Sequence, residues 1–448
     1  MGATEPVSEA DLLALLKRAA ADQRVKAWIV GGYVRDKLLG RVHLNPDVVV
    51  EGGDALAVAR RFAELAGAPA PVTFERFGTA QVTLPGRLVE FVTARAESYA
   101  SDSRKPDVRV ATLDEDLRRR DYTVNTLLMD LDGKVHDPLG GRRDLEARVL
   151  RTPAGPLRTF EDDPLRMLRG IRFAAELGFT LAPDLIPAMR SMKARLAPPV
   201  ISVERIADEL RRMLASERPK LALELLDESQ LLEVVLPEIA ACKGVPQTGY
   251  HTHDVFGHTL LTVEHTQSDL LLRLAALFHD VGKPATAKGD GTFVGHEEVG
   301  AEIAKRALER LRFAQREIDV VTQLVRLHLR PVFYREEWTD GAVRRLARDA
   351  GPLLPRLMLL GRADIAASAY PYPEKLDELQ ARLDRVMEER PSRLEPLVTG
   401  DDIMRIRGIE PGPEVGRIKQ KLEELVIDGE IAPEREAITD YLSTHPNL

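Results

Sequence analysis

Gly31-Gly32-Tyr33-Val34-Arg35-Asp36, continued by Leu38-Leu39-Gly40, closes a short apolar run, Ala27 to Val30, and opens a helical stretch, Val34 to Leu39. Glycines where a strand meets a helix let the backbone approach a phosphate, and the helix N-terminus and Arg35 supply positive potential. A double glycine alone is as a rule only a tight turn, so its neighbourhood decides. Next comes Asn45-Pro46-Asp47, leading into the strand-like Val48-Val49-Val50. Side chains at i and i+2 of a strand share a face. Two carboxylates so placed can hold Mg²⁺ for phosphoryl or nucleotidyl transfer.

Working outward, Ala55 to Ala66 reads as a helix, and Val72 to Leu84 and Arg87 to Thr93 alternate as strands do. Strands and helices mix up to about residue 150. After Pro153 the periodicity is helical, as in Leu165 to Leu177, Glu204 to Leu214, Leu221 to Leu226 and Glu297 to Leu311. Pro198-Pro199 marks a junction, Ser202 an N-cap, and Ala366 to Pro373 a further boundary. The expected fold class is α+β: a small mixed α/β head over 1–150, then an elongated all-helical remainder divided as 151–245, 246–366 and 367–448.

A length of 448 residues favours several domains, and 44% hydrophobic content argues against general disorder. No stretch approaches the roughly 20 apolar residues of a membrane span. Met1 to Gln23 carries Glu5, Glu9, Asp11, Lys17 and Arg18, so it reads as an amphipathic helix and not a signal peptide. The single Cys242 excludes disulfides and Cys-based zinc sites and fits a cytoplasmic protein. A net charge of −8 argues mildly against a protein that coats nucleic acid. Local patches remain, however: Arg118, Arg119 and Arg120 form a run, and Arg166, Arg169 and Arg172 recur at helical spacing.

Taken in order, these elements resemble the class II tRNA nucleotidyltransferase/poly(A) polymerase family across nearly the whole chain. Gly31 to Asp36 with Leu38-Leu39-Gly40 is similar to its G-G-x-V-R-D-x-L-L-G element, and Asn45-Pro46-Asp47 falls on its metal-binding D-x-D. Glu90, in Val89 to Arg95, lies where a third strand-borne carboxylate is expected. Arg119-Arg120-Asp121-Tyr122-Thr123-Val124-Asn125 resembles the element that contacts the nucleotide sugar and phosphates. Asp162-Asp163-Pro164-Leu165-Arg166 resembles E-D-x-x-R, whose second acid and arginine read the incoming base, with Arg169 and Arg172 following on the helix. Each element alone suits an ordinary surface; five in family order do not arise by accident. The resemblance implies a head that uses ATP or CTP with Mg²⁺ held at Asn45, Asp47 and Glu90. It also implies nucleotide contacts from Gly31, Gly32, Arg35, Asp36, Arg120, Asp121, Asn125, Asp163, Arg166, Arg169 and Arg172.

Asn45 departs from the family, which has Asp there. A carboxamide offers an oxygen but lacks the charge that makes carboxylates good Mg²⁺ ligands, so a large rate loss is expected. Three readings stand: a substitution introduced to trap a complex, a natural lineage with a degenerate transferase, or a tolerated residue. Ala100 to Lys105 keeps the length of a loop that the family links to ATP use, favouring CCA or A addition over CC-only addition.

Six of the ten histidines fall between His251 and His296, and His328 follows. Leu270 to Phe278 is an apolar helix ending in His279-Asp280. An adjacent His-Asp pair at a helix end can ligate one metal, with histidines of neighbouring helices completing the shell. The set His258, His279, Asp280, His296, His328 and Asp364 resembles the HD phosphohydrolase superfamily. That implies a divalent transition metal such as Ni²⁺, Mn²⁺ or Co²⁺, activating water against phosphomonoesters or 2′,3′-cyclic phosphates at RNA 3′ ends. A vestigial site on the same fold is the alternative. His251, His253 and His265 read as bystanders. Ser202 to Arg212 and Leu221 to Glu238 are similar to the family's neck and body, which hold tRNA by shape and phosphate contacts. Leu397 to Asp402 and Pro411 to Gly416 match a tail element, where a Gly-Pro turn presents N–H groups to phosphate or simply starts a helix. The sequence thus favours a tRNA 3′-end nucleotidyltransferase. An RNA 3′-end hydrolase with a silent head and a silent RNA-binding protein stand as alternatives, and the oligomeric state is not legible.

Overall fold

The computed structural model describes residues 7–75, 78–98, 107–289, 291–389 and 398–446; Ala100 to Lys105 and Leu397 lie outside the described residues. The chain forms two compact units, Met1–Val235 and Leu236–Leu448.

The first unit opens with α1 (Glu9–Asp22), β1 (Lys26–Val30), α2 (Gly32–Leu38), β2 (Asp47–Glu51) and α3 (Ala55–Ala66). It continues with β3 (Val72–Phe74), β4 (Thr79–Leu84), β5 (Arg87–Thr93), β6 (Arg95–Ser98), β7 (Asp107–Val110), α4 (Leu113–Arg118), β8 (Leu128–Met129) and β9 (Val135–His136). Seven strands make one sheet in the order β3-β4-β5-β2-β1-β8-β9. Its pairs are antiparallel apart from β2 with β5, which run parallel and set Asp47 opposite Glu90. Parallel pairing at the sheet centre follows from composition, since Val48, Val49 and Val50 are fully buried. Asp54 caps α3 through Leu56 N–H, and Gly67 ends it in the left-handed region. Phe62 of α3 meets Phe91 of β5 at a centroid distance of 5.3 Å. A smaller core of Val30, Val49, Ala94, Leu117 and Leu128 has Trp28 and Leu139 packed at its edge.

Helices follow: α5 (Gly141–Glu146), then β10 (Val149–Leu150), α6 (Pro156–Asp162), α7 (Leu165–Leu177), β11 (Thr180–Leu181), α8 (Leu185–Met192), α9 (Val203–Ala215), α10 (Pro219–Glu228) and α11 (Leu232–Val235). Ten of the thirteen residues of α7 are buried, and Gly178 terminates it with φ +69°. Tyr122 O–H donates to the Arg166 carbonyl at 2.7 Å, tying the head segment to α7.

Among its described residues the second unit is helical throughout: α12 (Pro237–Ala240), α13 (Val255–Glu264), α14 (Leu270–Phe278), α15 (Lys283–Thr286), α16 (His296–Arg310), α17 (Gln315–Leu327), α18 (Leu329–Val332), α19 (Asp340–Ala350), α20 (Leu354–Ala366) and α21 (Lys375–Glu389). The last three are α22 (Gly400–Arg407), α23 (Pro413–Asp428) and α24 (Arg435–Thr444), closed around Val398, Ile403, Ile418, Leu422, Val426 and Leu442. No helix among the described residues is long and apolar enough to cross a membrane. Cys242 is buried, which pushes its thiol up to about 12.

The mixed head and helical remainder match the expected class, with two local corrections. The run Val72 to Leu84, read as one strand, is two, because the chain turns at Gly78 with φ +57° and re-enters the sheet antiparallel. Ser202 occupies the N-cap position of α9, but its hydroxyl makes no capping hydrogen bond.

Candidate functional site

In the head, Gly31 has φ +79°, a conformation that an L side chain strains to adopt. A Cβ placed on it would lie 3.5 Å from Arg120 Nη1 and 3.6 Å from Asp47 Oδ2. The glycine backbone, the Arg120 guanidinium and the Asp47 carboxylate therefore converge. Asp47 begins β2 and Glu90 faces it across the parallel pair. The Asp47 carboxyl is held above the usual carboxylate range by desolvation and then by the charge of Glu90, with Arg120, His43 and Arg169 opposing. Glu90 accepts from Gln81 Nε2 at 3.0 Å. Two carboxylates set opposite one another across a strand pair form a donor set that fits a divalent cation.

Asn45 is turned to structural use: its Oδ1 accepts the Leu88 N–H at 2.9 Å, extending the β2–β5 ladder by one side chain. Arg35 does not stand free as a phosphate ligand. It is buried, bonded to Asp36 at 2.8 and 3.0 Å, and donates to Asn125 Oδ1 at 2.8 Å. Asn125 in turn donates to Asp121 Oδ1 at 2.9 Å, and Arg169 forks onto Asp121 Oδ2 at 2.9 and 2.7 Å. Burial opposes ionisation of Asp121, yet Arg169 and Asn125 hold it far below the carboxylate range. The arginine run is likewise paired, Arg118 with Asp114 and both Arg119 and Arg120 with the buried Asp116.

Asp163 ends α6, where its Oδ1 accepts the Leu165 N–H at 3.1 Å and its Oδ2 accepts from Arg205 at 2.8 Å. Arg166 is buried and donates to the Thr159 carbonyl at 3.3 Å. Arg172 departs from the row expected of it, since its guanidinium joins Glu176 at 2.9 Å and Glu209 of α9 at 2.6 Å. The face of Phe173 receives Arg35, Arg169 and Arg172 at 5.1, 5.3 and 4.2 Å from its centroid.

The second unit gathers its six expected residues into one cluster. Within reach of one another are His258, His279 and Asp364, and separately Asp280, His296 and His328, each set spanning no more than 4.8 Å between donor atoms. Helix ends do the positioning: His279 follows α14, His296 begins α16 and His328 follows α17. Each of these turns Nδ1 to a carbonyl three residues back, Ala276 at 2.8 Å, Phe293 at 2.8 Å and Val325 at 2.6 Å. His258 Nδ1 faces the Ala367 carbonyl at 3.4 Å. A carbonyl only accepts, so the proton sits on Nδ1 and the Nε2 lone pairs point inward, as metal-ligating imidazoles require. Gly282 makes the close approach possible, because a Cβ there would sit 2.1 Å from the His296 carbonyl oxygen.

Sequence reading missed four participants. His43 lies 2.6 Å from Asp36 and is close enough to lower the Asp47 carboxyl's proton affinity; Arg205 pairs with Asp163. Lys283 Nζ reaches Asp280 Oδ2 and Gln247 Oε1, both at 2.6 Å. His251, read as a bystander, packs edge-on against His258 at 4.5 Å, and burial, then Lys283 and His258, pull its imidazole down to about 4. Only the lysine had a visible signal, standing beside the His-Asp pair.

Comparison with known proteins matches the head, the segment after it and the first half of the second unit to known domains. Residues 27–151 match the poly A polymerase head domain, residues 178–243 the probable RNA and SrmB-binding site of polymerase A, and residues 248–368 the HD domain. The chain is 34% identical to the A-adding tRNA nucleotidyltransferase of Deinococcus radiodurans, covering 92% of this chain and 94% of that one. It is 36% identical to the CC-adding tRNA nucleotidyltransferase of Thermus thermophilus, over 92% of each. The crystal structure of the Bacillus stearothermophilus CCA-adding enzyme in complex with CTP superposes with a TM-score of 0.70 at 26% identity, over 97% of both chains. Likeness that runs through nine-tenths of both partners places this protein in the tRNA nucleotidyltransferase/poly(A) polymerase family, with an HD domain built into its second half.

Proposed function

We propose that the chain adds nucleotides from CTP and ATP to the 3′ end of tRNA, with CCA or A addition favoured. The observation that carries this is Asp47 beside Glu90 on adjacent strands, at a glycine turn faced by Arg120. Asp47 and Glu90 would hold Mg²⁺, with the Asn45 carboxamide a weakened third position. The bound ion would neutralise the triphosphate and favour ionisation of the attacking hydroxyl. The Gly31-Gly32 turn lets the backbone approach the phosphates, and Arg120 adds charge there. Asp121 with Asn125 and Arg169 orients the sugar, while Asp163 and Arg166 read the base once Arg205 releases Asp163. The helical segments 151–245 and 367–448 hold the tRNA by shape and phosphate contacts.

Because Asn45 already spends its oxygen on Leu88 N–H, it serves the ladder more than a metal, and the transferase runs below its scaffold's capacity. A primer-extension assay on tRNA lacking its 3′ end, with labelled CTP and ATP, tests this. Asn45→Asp is expected to raise the rate at least ~10-fold and Asp47→Asn to lower it ~10²-fold or more, given the cost of a misplaced reacting group. Full activity in Asp47→Asn would overturn the reading. The histidine cluster supports a second activity, metal-dependent hydrolysis of phosphomonoesters or 2′,3′-cyclic phosphates at RNA 3′ ends. Loss of that hydrolysis in His279→Ala, with nucleotide addition retained, is its expected signature.

A further inference from the structure

We propose that the exposed tyrosine cluster of the second unit, Tyr250, Tyr370 and Tyr372, is a stacking surface for unpaired nucleotides of an RNA strand whose 3′ end enters the histidine cluster. This rests on reading that cluster as acting on RNA 3′ ends, and goes beyond it by naming what holds the strand. Tyr250 and Tyr372 are 52% and 61% exposed, and each meets Tyr370 edge-on, at centroid distances of 5.1 and 6.4 Å. Lys375 fixes Tyr370 in place: its Nζ lies 4.2 Å from the ring centroid and donates to Tyr370 Oη at 2.9 Å. The same ammonium donates to the Val332 carbonyl, and the next residue, Phe333, is 62% exposed. Pro371 and Pro373 bracket Tyr372 and restrict the backbone on either side of it. The surface joins the histidine cluster at two points. Tyr250 precedes His251, whose ring packs 4.5 Å from that of His258. The Tyr250 carbonyl accepts the Ala369 N–H at 2.9 Å, and Ala367 turns its carbonyl to His258 Nδ1 at 3.4 Å. Both segments that carry the tyrosines therefore run past His258.

Large aromatic side chains gathered in the open mark a place that a partner covers. Size limits the partner. A fully covered ring of this kind buries about 150–250 Å², so the three half-exposed ones fall well short of the ~800 Å² per side of a specific protein–protein interface. A few unpaired nucleotides fit that area better. Every base has a flat face, and stacking on a tyrosine asks for no particular sequence. The tyrosine hydroxyls can also donate to phosphate or 2′-hydroxyl oxygens. Because prolines and Lys375 already hold the rings, little freedom is lost when a strand settles on them. The histidine cluster alone can grip only the terminal phosphate, a group that inorganic phosphate shares. Holding the preceding bases is what separates an RNA end from a small phosphate. Duplex RNA keeps its bases stacked inside and cannot offer them to the rings.

The test uses the full chain in chelator, so that no hydrolysis intervenes, and a short single-stranded RNA with a 3′-phosphate and 5-iodouridine near that end. Illumination is expected to crosslink the uridine to Tyr250, Tyr370 or Tyr372, as mapped by peptide mass spectrometry, while fluorescence anisotropy gives the affinity. Tyr250→Ala and Tyr372→Ala are each expected to weaken binding ~10-fold, the size of one lost base stack. Tyr250→Phe and Tyr372→Phe keep the ring and are expected to bind as the parent does. Duplex RNA of the same sequence is expected not to compete. Unchanged affinity in both alanine variants, or crosslinks confined to residues outside the second unit, would overturn the stacking surface. Effective competition by the duplex would overturn it in favour of backbone recognition. Self-association of the parent in gel filtration, lost in the alanine variants, would reassign the rings to a second copy of the chain. Hydrolysis is measured separately. Activity lost in His279→Ala, with no crosslink to the rings, would keep the hydrolase and sink the stacking surface. Crosslinked rings without any metal-dependent hydrolysis would keep the surface and sink the hydrolase.

Discussion

Asp121 shows how much a single carboxylate holds in the head. It links Asn125 on one oxygen to the Arg169 fork on the other, and through Asn125 it reaches Arg35 and Asp36. Its folded-state proton affinity is depressed, so its contribution is fully present above the unfolded value of about 4 and declines as pH falls below it. Asp121→Asn is expected to cost about 2 kcal/mol at pH 7, below the value for a fully buried pair because Arg169 keeps contact with solvent. That difference should already be smaller at about pH 3, the remainder being lost only as pH falls through the depressed folded value. Urea denaturation of parent and variant at the two pH values measures it, and an equal deficit at both would refute the assignment. The motif made Asp121 legible in the sequence, whereas its partner choice was not. Arg169 takes Asp121 but Arg172, one turn further on, takes Glu176 and Glu209, because α9 packs on that side of α7. Helical spacing alone cannot say which neighbour arrives.

Among elements, those with strong local signals were readable to the residue. Ala55–Ala66, Leu165–Leu177 and Leu270–Phe278 have apolar periodicity and stop at Gly67, Gly178 and His279. The two-residue strands β8 and β9 carry too few side chains to alternate, and the break at Gly78 is a turn inside a run that alternates on both sides. The six residues of the histidine cluster were recognisable as a set; their grouping about Asp280 was not, since it depends on how α14, α16 and α17 pack. Gly282 lies at that junction. Gly282→Ala would drive a methyl into the His296 carbonyl and the backbone of Gly300, contacts of 2.1 and 2.7 Å that rotamer changes cannot relieve. A destabilisation of about 2–3 kcal/mol is expected, together with weaker Mn²⁺ retention. Thermal melts and metal analysis check both, and an unaltered melt would show that α15 shifts freely.

For the whole molecule, the division into Met1–Val235 and Leu236–Leu448 gives each candidate site its own compact unit. Ligands should therefore act selectively on unfolding. Mn²⁺ at a hundredfold excess over its dissociation constant is expected to stabilise the second unit by about 2.7 kcal/mol, and CTP with Mg²⁺ to do the same for the first. Calorimetry would register each as a shift of one transition; a single transition moved by both ligands would mean that the units unfold together. The clip between Asn45 and Leu88 N–H has one more consequence, for any purified sample. Asparagine usually ages to aspartate when the next backbone nitrogen attacks the side-chain carbonyl and closes a cyclic imide. Here that nitrogen belongs to Pro46 and carries no hydrogen to lose, and the side chain is already fastened to a strand. A stored preparation will not slowly acquire the family's aspartate, so whatever transfer rate it shows belongs to the carboxamide.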